Sequence, residues 1–197
     1  AAGMPWLPKD HLLTYEEITR FARVCLDLGV HGIRLTGGEP TVRQDLPVLV
    51  GMLNALRPGL DLSLTTNGLK LVAMADELRA AGLKRVNVSL DTLDPARFLQ
   101  ISRRDRFHEV IAGLEAAQRV GFTPIKVNVV LMRGFNDDEA VPLARWGREQ
   151  GYEVRFIEKP LSAREQLLQQ IADSLGFASS ARLTAPWTQL ARQFVDL

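Results

Sequence analysis

The sequence predicts an α/β protein, a partial (β/α) barrel of parallel strands with helices packed outside them. Three observations carry this expectation. Short β-branched or aliphatic segments alternate with amphipathic segments of helical period. The helical segments have the length of crossovers between parallel strands. The strand segments carry one apolar face and one polar face, where a closed eight-stranded barrel would fill its interior with branched aliphatic residues.

The elements follow in order. Thr14 opens a helix with the capping-box pattern Thr14-x-x-Glu17, and Gly29 can end it. Ile18, Phe21, Ala22, Cys25 and Leu28 fall on one stripe of that helix, which makes Cys25 an expected buried structural thiol. Strands are expected at 33–36, 62–65, 86–90, Ile125–Leu131 and 154–157. Helices are expected at 46–56, 70–80, 95–101, 107–120, 137–150 and 163–175. Asp94 and Pro95 supply an N-cap and a first helical residue, and Ser162-x-x-Glu165 is a second capping box. A barrel domain is therefore expected over 1–175. Residues 176–197 form an irregular tail leading to a further C-terminal region, and the chain is expected to be an internal piece of a longer protein.

Composition bounds the function. With 46% hydrophobic and 24% charged residues, 197 residues suffice for one sizeable core. No apolar run is long enough to span a membrane, and the opening residues lack the pattern of a signal peptide. A formal net charge of +1 gives no global field toward nucleic acid or an anionic membrane, so an anion site needs locally placed charges. The single cysteine excludes an internal disulfide and a multi-cysteine metal site within these residues. A cytoplasmic location is the expectation.

The strand faces point to the site. Side chains alternate with a period of two, so Arg34 and Thr36 oppose Ile33 and Leu35, and Ser63 and Thr65 oppose Leu62 and Leu64. Asn87, Ser89 and Asp91 oppose Val86, Val88 and Leu90, and Lys126 and Asn128 oppose the apolar residues of the fourth strand. The phase of the fifth strand is ambiguous. Helices need an apolar surface to pack on, so the polar faces turn inward, where unpaired burial would cost several kcal/mol per group. The interior is expected to be wide and to hold a polar ligand. The competing reading is that these groups satisfy one another in a network or face solvent. Gly37-Gly38-Glu39-Pro40 directly follows the first strand. The glycines allow close approach of a ligand to the backbone, and Glu39 offers an acceptor to an ammonium group. His11, His31 and His108 lack metal-ligand spacing. Trp6, Trp146 and Trp187 read as core or interface residues, and Arg103, Arg104 and Arg106 as a solvated loop.

Gly37-Gly38-Glu39-Pro40 resembles the S-adenosylmethionine (SAM) binding motif of radical SAM enzymes, and with it the fold is read as a TIM-like barrel of the radical SAM type. Ile33 to Pro40, Leu64-Thr65-Thr66-Asn67-Gly68, Val86 to Asp91, Lys126 to Val130 and Val154 to Glu158 occur in order, a series similar to the GTP 3′,8-cyclase family of molybdenum cofactor biosynthesis. The resemblance implies SAM contacts at Gly38 and Ser89, within a cofactor-binding set that also holds Gly37 and Glu39. It implies GTP contacts at Arg34, Thr65 and Lys126. It further implies two [4Fe-4S] clusters bound by cysteines outside these residues, an electron donor, a downstream cyclic pyranopterin monophosphate synthase and a homodimer. The family's chemistry begins with reductive cleavage of SAM and hydrogen abstraction from C3′ of GTP. One departure stands out: Glu158-Lys159-Pro160-Leu161-Ser162 has no methionine where the family has a SAM-contacting one. Without cluster cysteines these residues are expected to be inactive alone. The rival readings are a radical SAM enzyme of another substrate, a non-catalytic nucleotide-binding module and a non-redox phosphate-binding barrel enzyme.

Overall fold

The computed structural model describes residues 12–158. The expected helix at 163–175, the tail at 176–197, and Trp6, His11 and Trp187 lie outside the described residues. Five strands form one parallel sheet: β1 (Gly32–Leu35), β2 (Asp61–Thr66), β3 (Arg85–Ser89), β4 (Ile125–Leu131) and β5 (Glu153–Glu158). Their spatial order is their chain order. Right-handed crossovers between sequential neighbours place every connecting helix on the same side of the sheet. That separates a partial barrel wall from a doubly wound sheet, whose strand order reverses at a switch point.

The helices are α1 (Tyr15–Asp27), α2 (Leu46–Asn54), α3 (Leu71–Ala80), α4 (Pro95–Ser102), α5 (Phe107–Arg119) and α6 (Ala140–Gln150). The local signals act as expected at several ends. The Thr14 side chain accepts from Glu17 N–H, and the Glu17 carboxylate accepts from Thr14 N–H at 2.8 Å. Asp94 caps α4 by accepting from Ala96 N–H at 2.8 Å. Gly151 ends α6 in the left-handed conformation at φ 76°. The expected helix at 137–150 is two elements, a 3₁₀ turn at Asp137–Glu139 and then α6.

The core lies between the sheet's outer face and the helices. Leu62, Leu64, Val86, Val88, Val127 and Val129 have no solvent exposure, nor do Val50, Leu53, Leu71, Leu78 and Leu143 from the helices. Burial along β4 alternates residue by residue, as its sequence predicts. Gly113 on α5 is needed at one contact, because a Cβ there would meet the carbonyl oxygen of Gly68 at 2.3 Å.

One expectation fails at α1. Its buried residues are Ala22 and Leu26, whereas Phe21 and Leu28 are 68% and 81% exposed, and Cys25 is only half-buried. The helix lies at the end of the helical layer and packs on α2, so its covered side is narrower than its apolar stripe.

Candidate functional site

The register aligns the polar residues in rows across the inner face. Arg34, Ser63 and Arg85 form the lowest row. Thr65, Asn87, Lys126 and Glu153 form the next, running over four strands. Ser89, Asn128 and Arg155 form the row nearest the C-terminal ends. Parallel strands in sequential order thus bring into one row residues as far apart in the chain as Thr65 and Glu153. Arg155 is a cation on this face that the sequence left unassigned, because the fifth strand's phase became legible only through its pairing with Asn128.

The middle row partly satisfies itself. Asn87 is 4% exposed and donates to the Thr65 hydroxyl oxygen at 3.1 Å. That leaves the Thr65 hydroxyl proton available to another acceptor. Lys126 Nζ lies 2.9 Å from Glu153 Oε2, with side-chain exposures of 12% and 53%. The lysine is therefore neutralised within its own row, which is the arrangement the competing network reading requires at that position. Arg34, by contrast, is solvent-exposed at the sheet edge.

The glycine motif behaves as two different residues. Gly37 has φ 152°, where other residues are disfavoured. A Cβ added at Gly38 would meet no atom within 4 Å, so the backbone there faces open space. Glu39 is used differently from its sequence reading. Its Oε1 accepts from Thr41 N–H at 3.0 Å, from the Thr41 hydroxyl at 2.6 Å and from the Thr66 hydroxyl at 2.7 Å. Its Oε2 accepts from Asn67 N–H at 2.7 Å. A carboxylate already given four donors ties the β1 loop to the β2 loop.

A cavity of about 400 Å³ opens beside the upper row, within the size range of small-molecule sites. Asn67 and Leu69 form one wall, Ser89 and Asp91 a second, and Phe98, Ile101 and Ser102 of α4 a third. Arg104 and Arg106 also line it, so the basic run expected to be solvated contributes to a concave site. Of the site residues named from sequence, Ser89 alone reaches this cavity; Gly38, Arg34, Thr65 and Lys126 do not line it. Asp91 accepts from Val130 N–H at 2.8 Å. Burial pushes its carboxyl above the usual range, and the Val130 N–H pulls it partly back.

Two further groups stay outside the site. His31 is exposed, and His108 is exposed with its ring edge against Phe107 at 5.5 Å between centroids. Among the described residues, no group of three or more His, Cys, Asp or Glu is placed to hold a metal ion. No helix among them is long and apolar enough to cross a membrane.

The chain is 51% identical over 164 residues to a GTP 3′,8-cyclase of Streptomyces coelicolor, a match covering 82% of this chain and 48% of the relative. It is 53% identical over 154 residues to a GTP 3′,8-cyclase of Acidothermus cellulolyticus, covering 78% and 42%. The chain therefore spans about half the length of the curated relatives it matches. Among solved structures, methylornithine synthase superposes with a TM-score of 0.53 at 20% identity, over 75% of this chain and 44% of that one. That likeness concerns the fold alone. The family model described as the Radical SAM superfamily matches residues 3–147, and the chain belongs to that superfamily.

Proposed function

We propose that the full-length protein is a GTP 3′,8-cyclase, a lyase that converts GTP to (8S)-3′,8-cyclo-7,8-dihydroguanosine 5′-triphosphate in molybdenum cofactor biosynthesis. The observation that carries the reading is the 51% identity to a relative of that name over the same residues that build the polar rows. SAM fits the residues present: open space at Gly38 lets a ligand approach the backbone, and Ser89 is exposed at the cavity rim. When bound, SAM supplies the group that abstracts hydrogen from the ribose of GTP.

The chain's own residues bind and orient. Gly37 and Gly38 present backbone, Ser89 a hydroxyl, and Glu39 holds the loop they belong to. Thr65 offers a hydroxyl proton to a phosphate oxygen, and Arg34 and Lys126 offer cations to the triphosphate. Lys126 must exchange Glu153 for the phosphate to do so. The clusters do not fit these residues. The one cysteine, Cys25, sits on α1, away from the strand ends that build the site, and no reaction step is assigned to a cluster held by this chain. An electron donor and a downstream cyclic pyranopterin monophosphate synthase belong to the same reading. So does a homodimer, which sedimentation of the full-length protein reads out.

The test uses the full-length protein, reconstituted anaerobically with iron and sulfide. GTP deuterated at C3′ is expected to pass its label to 5′-deoxyadenosine while GTP is consumed. SAM cleavage that proceeds without GTP dependence and transfers no deuterium would overturn the assignment.

A further inference from the structure

Glu139 is 9% exposed, precedes α6, and its carboxylate touches no residue proposed to bind a ligand. It accepts from the Thr92 hydroxyl at 2.7 Å, from Leu93 N–H at 2.7 Å and from Arg97 Nη1 at 2.7 Å. The Thr92 hydroxyl oxygen in turn accepts from Asp94 N–H at 3.0 Å. Glu39 repeats the hydroxyl and backbone bonds of this set one strand earlier, with Thr41 in place of the arginine. It takes the Thr66 hydroxyl and the next backbone N–H, Asn67, while the Thr66 oxygen accepts from Gly68 N–H at 3.1 Å. The loops that follow β2 and β3 thus each hang from a carboxylate supplied by a different element. Charge-assisted bonds of this kind are stronger and more directional than neutral ones.

The Glu139 bonds reach two walls of the cavity at once. Thr92 and Leu93 directly follow Asp91, and Asn136, which is fully buried, donates to the Asp91 carbonyl at 2.6 Å. Arg97 belongs to α4, the helix that brings Phe98, Ile101 and Ser102 to the same cavity, and it also pairs with Asp138 at 2.7 Å.

We propose that Glu139 is a positioning residue for the cofactor side of the site: acting through Thr92 and Arg97, it sets the spacing between the Ser89–Asp91 wall and the α4 wall of the cavity. The inference rests on the reading of that cavity as part of the SAM site. The Lys126 and Arg34 rows lie below it and do not hang from this carboxylate, so the effect is selective for one ligand.

Thr92 offers a clean substitution, since it is fully buried and is not itself a ligand contact. Thr92→Val keeps the shape and removes the hydroxyl; Thr92→Ser keeps the hydroxyl and removes the methyl. In the full-length protein without reductant, T92V is expected to weaken SAM binding by about tenfold while GTP affinity stays within about twofold. T92S is expected to bind SAM like wild type. Backbone hydrogen exchange at Leu93 and Asp94, read without any ligand, is expected to quicken in T92V and stay slow in T92S. Unchanged exchange in T92V overturns the clamp whatever the ligands do. Faster exchange in T92V with equal losses of SAM and GTP overturns its selectivity and leaves the bonds a matter of stability alone. A wild-type protein that binds no SAM defeats the reading of the cavity and with it the positioning role, while the exchange result still reports whether the clamp exists.

Discussion

Lys126→Ala, paired with Glu153→Gln, separates a ligand-binding lysine from a structural one. The two side chains meet at 2.9 Å, with Lys126 12% and Glu153 53% exposed. An ion pair with one partner so open to solvent contributes about 0–1 kcal/mol, so its loss shifts the melting temperature little. A hydrogen bond from the lysine to a phosphate oxygen is worth about 1.5–3 kcal/mol, and its loss weakens GTP by about ten- to a hundredfold. Guanosine has no phosphates and is expected to lose almost nothing. Glu153→Gln removes the competitor that now holds the ammonium group, so GTP is expected to bind up to about fivefold more tightly. The two substitutions thus move GTP affinity in opposite directions. Calorimetric titration of GTP and guanosine against wild type and both variants measures all six affinities. If Lys126→Ala weakens both ligands equally and Glu153→Gln gains nothing, the lysine serves the sheet and the triphosphate role is wrong.

Three further outcomes follow from the same geometry. Gly38→Val is expected to abolish SAM binding while the melting temperature stays near wild type, because its side chain would enter open space and not the protein; a folded variant with normal SAM affinity would show that the loop only turns the chain. Burial makes Asp91 harder to ionise folded than unfolded, so its charge destabilises above the raised folded pKa and that penalty fades as pH falls below it. Asp91→Asn is therefore expected to melt higher than wild type near pH 7, with the advantage vanishing by about pH 3–4; a gap independent of pH would refute the linkage. Leu28→Ser at the C-cap of α1 is expected to cost less than about 0.5 kcal/mol in denaturant unfolding, against about 2–5 kcal/mol for Leu114→Ala in the core, and comparable costs would mean that this end of α1 is covered.

The β4 sequence carried its own answer, because Ile125, Val127, Val129 and Leu131 alternate with polar residues and the burial alternates with them. The inward set Arg34, Thr65, Ser89 and Lys126 was legible for the same reason: a period of two needs only local sequence. What lay beyond reach depends on register. That Thr65, Asn87, Lys126 and Glu153 share one row is a statement about four strands at once, and no single segment contains it. Arg155 escaped because Glu153-Val154-Arg155-Phe156-Ile157 offers apolar residues in both phases. On α1 the pattern was present and misled, since a stripe records what a helix can bury, not what its neighbours cover.

The carboxylates show the same limit from the other side. Glu39 stands inside a recognisable motif, and its sequence position suggested a ligand acceptor; its bonds to Thr66 and Asn67 make it a brace between loops. Glu139 stands inside Asn136-Asp137-Asp138-Glu139, an acidic run that reads as a helix start. One of its three acidic residues is buried with three donors and another is 62% exposed against Arg97. Sequence cannot rank them, because which one turns inward depends on where the β3 loop lies, 46 positions earlier. A partial barrel with polar inner rows lacks the packed interior that fixes strand ends in a closed barrel. Directional bonds to the Glu39 and Glu139 carboxylates fix them here, which leaves the inner face free to be polar and open.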